Sequence, residues 1–259
     1  MDLPIRMINY FIHRISSLSD LIGNAFIREF RQNIIRDTKE YSEYQLIEKY
    51  RNDLFRNTSI PAPVSLGAGT FCGQKQRSIS HIARMASVNA KYGQLLFRMA
   101  RYYKPDQIIE LGTALGISTM YLSMGNPAAR IITVEGNPQL AGIASKSFAA
   151  HGLENITLIN SAFDDAIPRI IPEVKNNALV FIDGNHTLEA TIRYYEVFCE
   201  ATRFTNILVL DDINWSHDMA KAWKIITGEK CQGLAVDLFR LGIVFNNPDQ
   251  TRQKIRLRY

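Results

Sequence analysis

The chain has 259 residues, of which 46% are hydrophobic, and 30 Lys and Arg residues against 25 Asp and Glu give it a net charge of +5. This length and apolar fraction are typical of a globular protein and exclude a disordered or fibrous one. No apolar run approaches the ~20 residues that cross a bilayer, and the first residues lack the pattern of a signal peptide. Because the three cysteines are far apart and fit reduced thiols, we expect a soluble, cytoplasmic protein.

The positive charge is concentrated at the C-terminus. Residues 251–259 contain four basic residues and no acid, whereas the other 250 residues carry 26 basic against 25 acidic side chains. Basic and apolar residues alternate in this tail, which is typical of a strand with one solvated face. We therefore do not expect nucleic acid as a partner, and a site for a phosphate or an acidic partner is the alternative.

The first 80 residues predict an appendage to a larger domain. Apolar residues spaced by three or four predict an amphipathic helix over 3–30, and a second helix is predicted over 40–56. We interpret 1–60 as a helical N-terminal extension and a candidate homodimer interface. Residues 61–80, rich in Pro and Gly, are interpreted as a loop or lid before the domain at 81–259.

From residue 81 onward the sequence alternates between helical and strand patterns. A helix is predicted over 82–103, and short Val-, Ile- and Leu-rich runs predict buried parallel strands at 107–111, 130–134, 156–159, 178–182 and 207–210. This alternation predicts a doubly wound α/β fold. The last two runs, 234–245 and 253–259, are separated by a short turn at 246–249 and are expected to pair as an antiparallel hairpin.

The segment that says most about function follows the first of these strands and reads ELGTALGIS over 110–118. Its glycines permit a sharp turn close to a ligand, and a helix begins near its end. Glu110 stands where the dinucleotide fingerprint requires glycine. Glu135 ends the next strand, 23 residues after Gly112, where an acid can accept hydrogen bonds from ribose hydroxyls. The combination predicts a nucleotide-type site, and a purely structural turn is the alternative.

The strings ELGTALGIS, VEGNP, FIDGNH and LVLDDINW resemble the class I S-adenosylmethionine-dependent methyltransferases, especially the small-molecule O-methyltransferases of the catechol and macrolide-sugar types. The resemblance covers about residues 80–245. It implies a Rossmann-like fold with S-adenosylmethionine as the cofactor. The cofactor-binding residues that it implies are Glu110, Gly112, Thr113, Ser118, Glu135, Ser161, Ala162, Phe163 and Asp183.

Acidic residues follow two later strands of the predicted sheet. Asp183 ends one strand, and Asp211 and Asp212 end the next. Because the carboxyl ends of adjacent parallel strands open onto one crevice, we expect these carboxylates to lie close together. Such a cluster needs a cation, and oxygen ligands favour Mg²⁺. Three aspartates also resemble the macrolide-sugar group more than the catechol type. The alternative is that Asp212 caps the next helix and no metal binds.

His186 follows Asp183 by three residues. An imidazole can accept a proton near neutral pH, so His186 is a candidate general base with Asp183 as the second catalytic residue. A structural role for this histidine is the alternative.

Together these features predict methyl transfer from S-adenosylmethionine to a hydroxyl of a small molecule, helped by a divalent metal. Two alternatives stay open: a metal-free methyltransferase acting on nitrogen or RNA, and a nicotinamide-dependent oxidoreductase on a similar fold.

Overall fold

The computed structural model describes Tyr10, His13 and residues 25–61, 77–201, 206–231, 233–246 and 252–259. Strands and helices alternate along most of this length, as the sequence predicts. The strands are β1 Gln107–Leu111, β2 Arg130–Glu135, β3 Ile156–Asn160, β4 Ala178–Ile182, β5 Asn206–Leu210, β6 Leu234–Asp237, β7 Gly242–Asn246 and β8 Gln253–Arg256. The helices are α1 Ala25–Phe30, α2 Ser42–Arg56, α3 Ile79–Ala86, α4 Ala90–Tyr103, α5 Ile117–Gly125, α6 Pro138–Ala150, α7 Phe163–Ile170, α8 Leu188–Ala201 and α9 His217–Ile225.

The eight strands are ordered β3-β2-β1-β4-β5-β7-β6-β8 in one sheet. Strand β2 runs parallel to β3, and β4 runs parallel to β5, whereas β7 is antiparallel to β5. Strands β1 and β4 are both buried at every position. β4 is a continuous apolar run, whereas β1 also buries the polar side chains Gln107 and Glu110. The predicted doubly wound α/β fold is confirmed.

The C-terminal antiparallel hairpin is present but is formed by strands other than the predicted ones. Strand β6 pairs antiparallel with β7, and β8 pairs with β6 in parallel. The predicted single strand 234–245 is wrong because the chain turns within it. The Asp237 side chain accepts a hydrogen bond from the Phe239 amide, and Phe239 has a φ of +71°. This turn uses an acidic side chain rather than an Asn-Gly or Asp-Gly pair, so the sequence gives little warning of it.

The predicted helix over 82–103 is interrupted. Helix α3 ends at Ala86, and α4 begins at Ala90 after Asn89, whose side chain accepts a hydrogen bond from the Tyr92 amide. An asparagine in this position satisfies an amide that would otherwise lack a partner at the start of a helix, and so favours a new helix there.

The chain divides into two compact units, described separately below. The first unit comprises Met1–Asp37, Pro105–Ile109 and Pro168–Tyr259, and the second comprises Thr38–Lys104 and Glu110–Ile167. The predicted extension over 1–60 is therefore split, with α1 in the first unit and α2 in the second. Most of the predicted helix 3–30 and loop 61–80 lies outside the described residues. Within the described part of the chain, no helix is both long and apolar enough to span a membrane.

Helix α2 is fixed to the second unit by polar contacts as well as apolar ones. The Arg51 guanidinium donates to the carbonyl of Val88 at 2.6 Å, and the hydroxyl of Tyr121 on α5 donates to Glu48 at 2.7 Å. Arg51 is almost completely buried, and Ile47 on the same helix is fully so. Part of the predicted extension is therefore integrated into this unit.

Candidate functional site

The predicted cofactor segment forms a tight turn at the carboxyl end of β1. Gly112, Ala114 and Gly116 all have positive φ angles, of +110°, +46° and +83°. The Gly112 and Thr113 amides donate to the carbonyl of Val134 on β2, at 3.0 and 3.1 Å. These bonds hold the turn against the neighbouring strand, and the left-handed conformation explains why glycine recurs in it.

Gly116 is required by packing as well as by its backbone conformation. A Cβ atom at this position would lie 2.6 Å from a ring carbon of Phe148 on α6 and 3.3 Å from Cβ of Ala144. Any larger residue would therefore push α6 away or deform the turn.

Glu135 is anchored beside this turn. The Ala114 amide donates to its Oε2 atom and the Asn137 amide to its Oε1 atom, both at 2.8 Å. Burial raises the pKa of Glu135, and these two backbone hydrogen bonds oppose the rise. Each carboxylate oxygen can accept a second hydrogen bond, and the side chain is only partly buried. The carboxylate is thus oriented in advance to accept hydrogen bonds from a ligand.

Glu110 is fully buried under the turn and is incompletely satisfied. Its Oε2 atom accepts hydrogen bonds from the hydroxyls of Thr119 and Thr133, at 2.5 and 2.6 Å. Its Oε1 atom is buried without a hydrogen-bond partner among the described residues. Burial raises the pKa of Glu110, whereas its hydroxyl neighbours, including Ser118, lower it. A buried acceptor without a partner is costly, so this oxygen has hydrogen-bonding capacity that the described residues leave unused.

The predicted adenine-side residues lie at the end of β3, next to Glu135. The Ser161 amide donates to the carbonyl of Glu135 at 3.1 Å. Ala162 is exposed, and Phe163, which is half-buried, begins α7. Thr113 and Ser118, in contrast, are buried, and the Thr113 hydroxyl lies 2.6 Å from that of Thr133. All the predicted cofactor residues except Asp183 are therefore in the second unit, around the ends of β1, β2 and β3.

The predicted metal ligands lie in the first unit and face a protein cation. The Arg240 guanidinium donates to both carboxylate oxygens of Asp211, from Nε at 2.9 Å and from Nη2 at 2.8 Å. Its Nε atom is also 3.5 Å from Oδ1 of Asp212. Although burial alone would lower the pKa of Arg240, the hydrogen bond to Asp211 and the charges of Asp211, Asp212 and Asp183 raise it overall. The cluster that the sequence predicts exists, but Arg240 is part of it.

In this arrangement the aspartates do not fit a divalent ion. Mg²⁺ needs carboxylate oxygens at about 2.0–2.1 Å in octahedral geometry, and both oxygens of the fully buried Asp211 are already engaged by Arg240. Within the described residues, no group of three or more His, Cys, Asp or Glu side chains is arranged to hold a metal ion. The alternative role for Asp212 is not seen either, because helix α9 is capped by the side chain of Ser216.

The predicted catalytic pair is brought together. Nε2 of His186 lies 3.6 Å from Oδ1 of Asp183, and both side chains are partly accessible. Asn185, between them, has a φ of +50°, and its side chain donates to the hydroxyl of Tyr194. The loop after β4 is thereby fixed with the imidazole and the carboxylate facing each other.

The sequence analysis missed two residues that contact the candidate site residues. Arg240 lies 29 residues after Asp211, and its only sequence signal is that it is a charged residue inside an apolar run. Tyr50 on α2 donates from its hydroxyl to the carbonyl of Leu115 in the glycine turn, at 2.9 Å. No motif around Tyr50 marks this contact.

Comparisons with known proteins agree with this geometry. Residues 109–213 match a family model described as a methyltransferase domain. Catechol O-methyltransferase B of Danio rerio is 33% identical over 114 residues, which are 41% of this chain and 43% of that protein. Catechol O-methyltransferase of Mus musculus is 26% identical over 159 residues, 59% of this chain and 57% of that protein. The chain thus spans about half the length of these curated relatives.

The fold likeness extends further than the sequence likeness. The crystal structure of the O-methyltransferase TomG from Streptomyces achromogenes, in complex with SAM, covers 88% of this chain and 99% of its own, with a TM-score of 0.58 and 16% identity. The predicted Rossmann-like methyltransferase fold is confirmed, as is the predicted resemblance to the class I S-adenosylmethionine-dependent methyltransferases.

Proposed function

We propose that the protein is an S-adenosylmethionine-dependent O-methyltransferase that acts on a hydroxyl of a small molecule. The observation that carries the proposal is Glu135, a half-buried carboxylate held by two backbone amides beside a glycine turn of positive φ. A carboxylate fixed in this way suits the two hydroxyls of a ribose, which both donate hydrogen bonds.

Different residues around the turn would contact different parts of the cofactor. Glu135 would accept the ribose hydroxyls, and Ser161, Ala162 and Phe163 would lie along the adenine. The buried Oε1 of Glu110 gives a reason for a cationic ligand group, since the ammonium of a methionine arm is a donor that could satisfy it. Gly112 and Gly116 would allow the positive φ angles of the turn that faces the ligand. We also retain Asp183 as a proposed cofactor contact.

In this proposal the protein itself mainly positions the two substrates and accepts the proton of the acceptor hydroxyl. When bound, S-adenosylmethionine supplies a methyl group that is already electrophilic. His186 would accept the proton of the acceptor hydroxyl, and Asp183, 3.6 Å from its Nε2, would help to orient the ring. This proposal uses no metal ion, because Arg240 already engages the aspartates that would bind one.

Calorimetric titration with S-adenosylhomocysteine tests the cofactor assignment. We expect Glu135→Ala to weaken binding about 100-fold, since two hydrogen bonds to a charged group contribute roughly 1.5 kcal/mol or more each. Glu154→Ala is the matched control, because it removes an exposed acid from the same unit and should leave affinity unchanged. If wild-type protein does not bind, or binds NADH instead as judged by its fluorescence, the cofactor assignment is wrong.

Transfer of a radiolabelled methyl group tests the acceptor class. Catechol is the first probe, because the curated relatives carry that name. His186→Gln should lower turnover at saturating cofactor while S-adenosylhomocysteine affinity is retained. Label that appears in RNA or on amines, with none on hydroxylated small molecules, would establish one of the alternative methyltransferases instead.

A homodimer through the N-terminal helices stays a prediction. Helix α2 already packs within its own chain through Arg51 and Tyr121, so any dimer contact must use other faces. A light-scattering mass of the full chain would decide between monomer and dimer.

A further inference from the structure

We propose that Arg240 is the resident cation of the Asp183, Asp211 and Asp212 cluster and takes the position where a divalent ion would otherwise bind. The protein would then neither bind nor need a metal ion at these residues. This inference goes beyond the proposed function and depends on it only for the consequence in catalysis.

The pairing between Arg240 and Asp211 has the geometry of a strong interaction. Two parallel hydrogen bonds, at 2.9 and 2.8 Å, join the edge of the guanidinium to both carboxylate oxygens. Such bidentate pairs are shorter, stronger and more directional than single contacts. Asp211 is fully buried, so an unpaired charge there would be costly, and Arg240 is the group that compensates it.

The backbone around Arg240 is fixed as firmly as its side chain. The Ile213 amide donates to the carbonyl of Arg240 at 3.0 Å, and the Asn214 side chain donates to the carbonyl of Phe239 at 2.7 Å. The turn between β6 and β7 is therefore tied to the segment that follows Asp211. These two hydrogen bonds to backbone carbonyls position the Arg240 guanidinium at the carboxyl end of β5.

Each aspartate of the cluster already has a partner in the first unit. Arg240 binds Asp211 directly and lies 3.5 Å from Asp212, whereas Asp183 faces His186. A metal ion would have to displace the partly exposed guanidinium from the buried Asp211. An arginine also keeps its charge at every physiological pH, so its hold on the cluster is permanent.

If this inference holds, the proposed methyl transfer requires Arg240 and does not require a metal ion. Turnover should be the same in a chelator as in added Mg²⁺. The closing experiment measures metal binding without cofactor, so its outcome is separate from that of the S-adenosylhomocysteine titration.

Titration with Mn²⁺, followed by electron paramagnetic resonance, tests the inference directly. Wild-type protein should show only weak, non-saturating binding. Arg240→Gln removes the cation that faces the aspartates and should bind one Mn²⁺ at least about tenfold more tightly. Adding Asp211→Asn to that variant should abolish the gain. Arg258→Gln removes the same charge from an exposed position and should behave as wild type.

Two results would overturn the inference. One is saturable Mn²⁺ binding by wild-type protein that Asp211→Asn removes, and the other is a folded Arg240→Gln variant that gains no affinity. If circular dichroism shows that Arg240→Gln does not fold, the thermal midpoint of wild-type protein decides. It should not change between Mn²⁺ and a chelator, and an increase in Mn²⁺ that is lost in Asp211→Asn would refute the proposal.

Discussion

Replacing Gly116 with alanine tests how the glycine turn is built. Gly116 combines a φ of +83° with a Cβ position 2.6 Å from the Phe148 ring. Two other glycines of the same unit separate these effects. Gly152 has a φ of +63° and open space around it, and Gly142 has open space within helix α6.

The expected free energies of unfolding follow from these differences. An alanine in the left-handed region costs about 1–2 kcal/mol, which is the whole effect expected for Gly152→Ala. Overpacking against Phe148 adds about 1–3 kcal/mol, so Gly116→Ala should lose roughly 2–5 kcal/mol. Gly142→Ala should be neutral or stabilising by up to about 1 kcal/mol, because alanine is the better helix former.

Urea denaturation of the three variants measures these values, and a double variant separates the two costs. Gly116→Ala combined with Phe148→Leu should recover part of the overpacking cost and none of the backbone cost. S-adenosylhomocysteine affinity should fall in Gly116→Ala and stay unchanged in Gly142→Ala. Equal losses for Gly116→Ala and Gly152→Ala would show that Phe148 yields freely and that the packing argument is wrong.

Three further predictions concern single side chains. Tyr50→Phe should cost about 1 kcal/mol of unfolding free energy in urea denaturation and weaken S-adenosylhomocysteine binding, because its hydroxyl supports the Leu115 carbonyl in the turn. Burial raises the folded-state pKa of Glu110 above 4.5. The free energy of unfolding should therefore fall as pH rises from 4.5 through the folded-state pKa, because the folded state favours the protonated carboxyl. Denaturation curves of Glu110→Gln, measured over the same pH range, should lack this decline. Burial alone would raise the pKa of Asp237, but the hydrogen bond and charge of His13 lower it below 3.8 overall. The ionised Asp237 therefore stabilises the fold above pH 3.8, and this stabilisation is lost as pH falls through the folded-state pKa. Asp237→Asn should be less stable than wild type at pH 7, and its stability should depend less on acid pH.

The parallel core of the sheet could be predicted because its signal is local. The strands at 107–111 and 178–182 were predicted with the bounds that the structure has, and the other three of β1 to β5 to within one residue. A strand buried on both faces is mainly apolar, as all five residues of β4 are, so its extent can be predicted from a short apolar run. Glu110 and Glu135 could be identified for a similar reason, because Glu110 lies near the carboxyl end of β1 and Glu135 is the last residue of β2.

The features that were missed depend on contacts between distant residues. In the turn after β6, the Asp237 side chain accepts a hydrogen bond from the Phe239 amide. Strand β8 pairs with β6 in parallel, and the local sequence pattern of β8 does not indicate which strand it will pair with. The environment of the predicted metal ligands was missed for the same reason. Nothing near Asp211 in the sequence indicates that Arg240, 29 residues later, will donate to both of its oxygens.

Two fully buried carboxylates lie at the carboxyl ends of strands, Glu110 within β1 and Asp211 just after β5, and they differ in a way that bears on function. Asp211 has its charge compensated by Arg240 within the protein, so it needs no cation from solution. Glu110 has hydroxyl partners on one oxygen and a buried second oxygen for which the described residues provide no donor. A protein tolerates such a defect where a ligand corrects it, because the energy lost in the free state increases the differential gain on binding. Under the proposed function, a cationic ligand group is expected near Glu110, and a metal ion is not expected at Asp211.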